Sequence, residues 1–123
     1  MKDYRLPKEV YMSTLWYIRM YPGLKEQCDA VIGGSPAQDG QPKSPMPGDP
    51  TFAKAAKLER LHNMIRPIED AMETIPTEYR KGIFENIIDR RPYPDYAGRK
   101  TWKRWRQRYI YRVAILSGRY SAE

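Results

Sequence analysis

The sequence is poor in the residues that build disulfide-held or metal-held folds. Its 123 residues include one cysteine, Cys28, and one histidine, His62. A lone cysteine cannot close an internal disulfide, which favours a reducing compartment. One Cys and one His cannot hold a structural zinc ion, so zinc-finger classes are excluded. No long apolar run is present, so no membrane span is expected. The start, Lys2-Asp3-Tyr4-Arg5, lacks the apolar core of a secretory signal. A cytoplasmic protein is the expectation. Catalytic signatures are missing too: there is no GxSxG and no phosphate loop. His62 falls on a charged helix face. Glu69, Asp70 and Glu73 are neighbours that could hold a metal, but such groups are ordinarily solvated surface. No enzymatic activity, cofactor or metal is expected.

Acid is also missing where base is concentrated. From Pro76 to Glu123 there are 12 Lys+Arg against 5 Asp+Glu, and from Met1 to Ile75 there are 10 against 10. The whole net charge of +7 therefore lies in the last part of the chain. Arg99, Lys100, Lys103, Arg104, Arg106, Arg108 and Arg112 follow one another with no acid between them. A basic block on a neutral body is an electrostatic footprint for a polyanion. Trp102, Trp105, Tyr109 and Val113 run through the block, so its cations sit on a packed element. The apolar content of 41% suits a modest core. The ten tyrosines suit contact surfaces.

The periodicity predicts an all-α chain. Pro7 to Tyr21 reads as a helix with a wide apolar arc of Tyr11, Leu15 and Ile18 beside Val10, Thr14, Tyr17 and Tyr21. Pro22-Gly23 ends it, and a shorter helix runs from Leu24 to Ile32, giving an N-terminal segment of residues 1–32. Gly33 to Asp49 is rich in Gly, Pro and Ser and reads as a mobile spacer. Asp49 as cap and Pro50 at the first helical position start a long helix to Ile75. Within it Leu58, Leu61, Ile65, Ile68, Met72 and Ile75 make one seam. Packing on the chain's own first helix is the favoured use of that seam, and a homodimer through it is the alternative. Pro67 should kink the helix. Residues 76–123 form the last unit. Thr77 to Ile88 is a helix in which Gly82 either weakens the element or permits a close helix contact. Arg90 to Gly98 carries two prolines and forms a structured connector. Arg99 to Ser117 is the final helix, with Gly118 as C-cap.

On a helical wheel centred on Trp102, the residues Trp105, Tyr109, Val113 and Leu116 gather as a core face. Lys100, Lys103, Arg104 and Gln107 lie opposite, with Tyr111 beside them. Lys103, Arg104 and Gln107 have the chemistry to read base edges in a major groove, Arg and Lys on guanine and Gln on adenine. Arg106, Arg108 and Arg112 flank this face and suit phosphates. Together with Arg99 these residues make the expected DNA-binding set. A merely solvated basic face, an anionic membrane surface and RNA compete with that reading. Trp102 and Trp105 could stack on bases, but core packing is the commoner role.

The chain also resembles a known family. The pattern runs from Asp49-Pro50-Thr51 through Ile75-Pro76-Thr77-Glu78-Tyr79-Arg80 to Pro92-Tyr93-Pro94. It continues through Thr101-Trp102-Lys103-Arg104-Trp105-Arg106-Gln107-Arg108 to Val113-Ala114. Leu6-Pro7 and Tyr21-Pro22-Gly23-Leu24 also fit. This is similar to the RinA/ArpU-like transcriptional regulators of phages and prophages, across nearly the whole chain. The resemblance implies a late-gene activator with a C-terminal helix-turn-helix similar to that of sigma factors. Double-stranded DNA would be its main partner and host RNA polymerase a further one. A small-terminase-like DNA-packaging factor and a polymerase-binding protein that barely touches DNA are the alternatives.

Overall fold

A computed structural model describes residues 4–33 and 50–121, with side chains from residue 52 onward in the second stretch. Of the expected spacer Gly33–Asp49, Gly33 is the last residue of a helix and residues 34–49, with the Asp49 cap, lie outside the described residues. The described residues form five helices and no strand. These are α1 (Lys8–Arg19), α2 (Tyr21–Gly33), α3 (Pro50–Met72), α4 (Thr77–Ile88) and α5 (Arg99–Leu116). The protein is a small all-α chain. None of the described helices is long and apolar enough to cross a membrane.

The chain divides into two compact units, one of Met1–Met20 with Pro67–Glu123 and one of Tyr21–Arg66. This differs from the division expected from sequence. Residues 1–20 belong with the basic C-terminal part and not with residues 21–32. The reason is a set of long-range bonds from α1 and its lead-in to α4 and α5, described below. The cut within α3 falls at Pro67, whose missing N–H removes one helix bond. Pro22 and Gly23 do not follow a helix but open α2, since only Met20 separates it from α1.

In the first unit α1 packs on α4 and α5, and α4 packs on α5. Thr14, Leu15, Tyr17 and Ile18 are the buried arc of α1. Ile83 and Ile87 of α4 and Trp102, Tyr109, Ile110, Val113 and Ala114 of α5 are buried. From the end of α3 come Ile68 and Ala71, and Tyr109 Oη donates to the Ile68 carbonyl at 2.9 Å. The expected seam is mostly internal: Leu61, Ile65, Ile68 and Ile75 are buried within the single chain, and Leu58 and Met72 are half-buried. In the second unit Leu24 and Cys28 are the buried residues of α2.

Helix ends follow local chemistry. Pro76 precedes α4, and the turn before it is tightened by bonds from Glu73, Thr74 and Ile75 N–H groups to Asp70, Ala71 and Met72. At the end of α5, Gly118 takes φ 80°. The Arg119 N–H reaches the Ala114 carbonyl at 2.9 Å and the Gly118 N–H reaches Ile115 at 3.1 Å, the paired bonds of a Schellman motif.

Candidate nucleic-acid interface

α5 is positioned by Trp102. Its side chain is fully buried among three tyrosines. Tyr93 stacks parallel on it with centroids 5.7 Å apart, while Tyr79 and Tyr96 meet it edge-on at 5.0 and 5.4 Å. Tyr96 also donates its hydroxyl to the Glu78 carbonyl at 2.6 Å. On α4, a Cβ at Gly82 would lie 2.7 Å from Trp102 Cη2 and 3.0 Å from Pro94 Cδ. Of the two expected uses of Gly82, close contact is therefore the one realised. The connector between α4 and α5 covers residues 89–98 and holds no helix. A helix-turn-helix joins its helices through about three or four residues. Here the aromatic cluster of Tyr79, Tyr93, Tyr96 and Trp102 fixes the start of α5 in place of such a turn.

The nine expected DNA-contacting residues divide into two groups. Arg99, Lys100, Lys103, Arg104 and Arg112 are exposed, and none makes a hydrogen bond or ion pair with a described residue. The other four are engaged. Gln107 Nε2 donates to the Tyr4 backbone carbonyl at 2.7 Å, so its amide is spent on holding the N-terminal lead-in. Tyr111 meets Tyr4 and Tyr120 edge-on. Arg108 lies over the Tyr4 and Trp105 rings at 5.0 and 5.5 Å. Arg106 faces inward, with Nε on Asn86 Oδ1 at 2.9 Å and Nη1 on the Tyr11 hydroxyl at 2.7 Å.

These contacts correct the helical wheel. The buried face is centred beyond Trp102 toward Ile110 and Ala114, because both α1 and α4 cover α5. Leu116, expected in the core, is 41% exposed. Trp105 is only half-buried and stacks on Tyr79 at 6.1 Å, with Arg108 above it. The outward basic line is thus Lys100, Arg104, Arg108 and Arg112, at steps of four. Such a row is a surface ridge on a helix, here about 18 Å long. Arg106 lies on the opposite side of the helix from this ridge, and Gln107 gives one amide N–H to Tyr4. The engagement of Tyr4 with Gln107 and Arg108 had no signal in the sequence, since it rests on a backbone carbonyl far away along the chain.

The ridge works against the helix that carries it. A helix N-terminus bears partial positive charge and is stabilised by acids. The first turn of α5 has no acid and carries Arg99 and Lys100 instead. Its N-cap is Gly98, which supplies no side-chain bond. The dipole and the cations both suit an incoming anion.

No protein-family model, curated protein or solved structure matches this chain.

Proposed function

We propose that the protein binds double-stranded DNA through the outer ridge of α5 and acts as a phage-type transcriptional regulator. The observation that carries the binding reading is the line of Lys100, Arg104, Arg108 and Arg112 on a helix with no acid, of which Lys100, Arg104 and Arg112 are exposed and Arg108 lies over two aromatic rings. Arg108 is held upright between Tyr4 and Trp105, which reduces the ordering cost of a contact. The row length suits a helix lying in a major groove, with Arg104 and Lys103 nearest to base edges and Arg99, Lys100 and Arg112 toward phosphates. The regulatory role rests on the resemblance to RinA/ArpU-like phage regulators, in which the last helix reads a promoter.

The test is duplex binding by the full chain and two variants. Arg104→Ala should cost about 1–3 kcal/mol on a selected cognate duplex and much less on a scrambled one. Arg112→Ala should weaken both by similar factors. Equal losses for Arg104→Ala on both duplexes would make Arg104 a phosphate contact. No loss for either variant would remove α5 as the DNA surface.

A further inference from the structure

The C-terminal end of α4 gathers arginines from three parts of the chain. Arg19 of α1 donates from Nε to the Ile87 carbonyl at 2.9 Å. Arg106 of α5 is held on Asn86 and Tyr11 as described above. Asn86 Nδ2 donates to the Arg91 carbonyl at 2.7 Å, and the Arg91 N–H returns to Glu85 at 3.3 Å. These two bonds fold the connector back on the helix end, and Arg90, in the turn they close, is exposed.

A helix C-terminus offers about half a negative charge, less than a single cation carries. Arg19 and Arg106 are bonded beside it, and Arg90, with its side chain exposed, follows it closely in the chain. None of them pairs with a carboxylate among the described residues, and Asp89, next in sequence, is exposed. Burial, and then repulsion from Arg90 and Arg106, lowers the pKa of Arg19. The bonds that fix Arg19 and Arg106 go to neutral oxygens, so they orient the guanidiniums without neutralising them. Arg19, whose guanidinium also lies over the Trp16 ring at 5.6 Å, donates only Nε to the protein, and Arg106 donates Nε and Nη1. Arg90 adds a third mark. Its φ is 56°, and it is the only described non-glycine residue with positive φ. Left-handed backbone costs a side-chain-bearing residue roughly 1–2 kcal/mol. Such outliers collect where a side chain is needed in a set place.

We propose that Arg19, Arg90 and Arg106 form a binding site for a phosphate-type oxyanion, separate from the α5 ridge. A tetrahedral oxyanion has enough acceptor oxygens to take forks from several guanidiniums at once. The site is distinct because Arg106 is two residues from both Arg104 and Arg108, which places it on the opposite side of the helix. It stands independently of the DNA-binding reading. A phosphate ester in solution and the backbone of a nucleic acid both present the required group.

The test uses the full chain and inorganic phosphate at matched ionic strength. Phosphate at about ten times its dissociation constant should raise the melting midpoint by several degrees, roughly 5 °C. Arg90→Gly removes one cation and relieves the left-handed strain, so it keeps the fold and should lose this shift. Arg90→Lys should restore part of it, and Arg104→Ala should retain it in full. A shift no larger than chloride gives, or one equal in wild type and Arg90→Gly, overturns the proposal. A duplex titration of Arg90→Gly then separates the sources. Weaker duplex binding means that the site takes a backbone phosphate, and unchanged binding means that it takes a free ester. If the protein fails to bind duplex at all, the DNA reading falls while the phosphate shift and its loss in Arg90→Gly still decide this site.

Discussion

Gly82 and Trp102 form the most constrained pair of residues in the first unit. Alanine is the better helix former by about 1 kcal/mol, so an isolated α4 would gain from Gly82→Ala. In the protein the new methyl would meet the six-membered ring of Trp102, and the ring is boxed by Tyr79, Tyr93 and Tyr96. Overpacking of this kind costs about 1–3 kcal/mol, so the net effect should be a lower urea midpoint. Circular dichroism of the variant during urea unfolding checks the sign. Trp105→Ala should cost less than Trp102→Ala, because Trp105 is half-buried and Trp102 is not exposed at all. Two tyrosines add a pH dependence. Burial raises the pKa of Tyr17 above 10.0, with Arg119 opposing it, and burial likewise raises that of Tyr93. Above pH 10.0 the unfolded chain then releases protons that the folded chain keeps. Stability is therefore whole below that pH and falls as pH rises through the folded values. Alkaline melting curves should drop more shallowly for Tyr93→Phe than for the wild type.

Among the elements, α5 carries opposed demands on one set of residues. Its first turn places Arg99 and Lys100 against the helix dipole, and stability alone would favour an acid there. Lys100→Glu should therefore raise stability by about 0.3–1 kcal/mol while weakening duplex binding. Thermal melting and a binding titration of the same variant would show the two effects moving in opposite directions. A variant that loses both would place Lys100 in a structural contact. Four of the five helices lie close to where spacing and breakers put them, and α4 coincides with Thr77–Ile88. Pro7, Pro50, Pro76 and Gly118 act through local backbone rules, which is why they can be read along the chain. The rotation of α5 could not be read so simply. A wheel centred on Trp102 assumes one covering neighbour, whereas α1 and α4 cover two adjoining sides and draw in Ile110 and Ala114. The capture of Gln107 by Tyr4 and of Arg106 by Asn86 and Tyr11 depends on which segments meet in space. Residue type alone suggested base and phosphate contacts for both.

At the level of the whole molecule, the folded units divide the charge almost as sharply as the sequence does. Met1–Met20 with Pro67–Glu123 carries 16 basic and 10 acidic residues, and Tyr21–Arg66 carries 6 and 5. The first unit thus bears most of the positive field, and α5 presents it outward. This sets the expected salt response. Each phosphate neutralised releases counterions, with a slope of about −0.9 per contact in log affinity against log salt. Four ridge contacts give a loss of roughly 10²-fold between about 50 and 200 mM salt, and adding Arg99 and Lys103 brings it to roughly 10³-fold. Gln107, which is uncharged and bonded to Tyr4, should contribute nothing to that slope, and Arg106 should contribute only where the site at the end of α4 takes a backbone phosphate. Arg112→Ala should reduce it by about one contact. Titrations of wild type and Arg112→Ala across that range measure the number of contacts directly. A slope near zero would mean that the field of this unit is met by something other than a polyanion. A slope well above six contacts would require cations outside α5, with the arginines at the end of α4 the nearest supply.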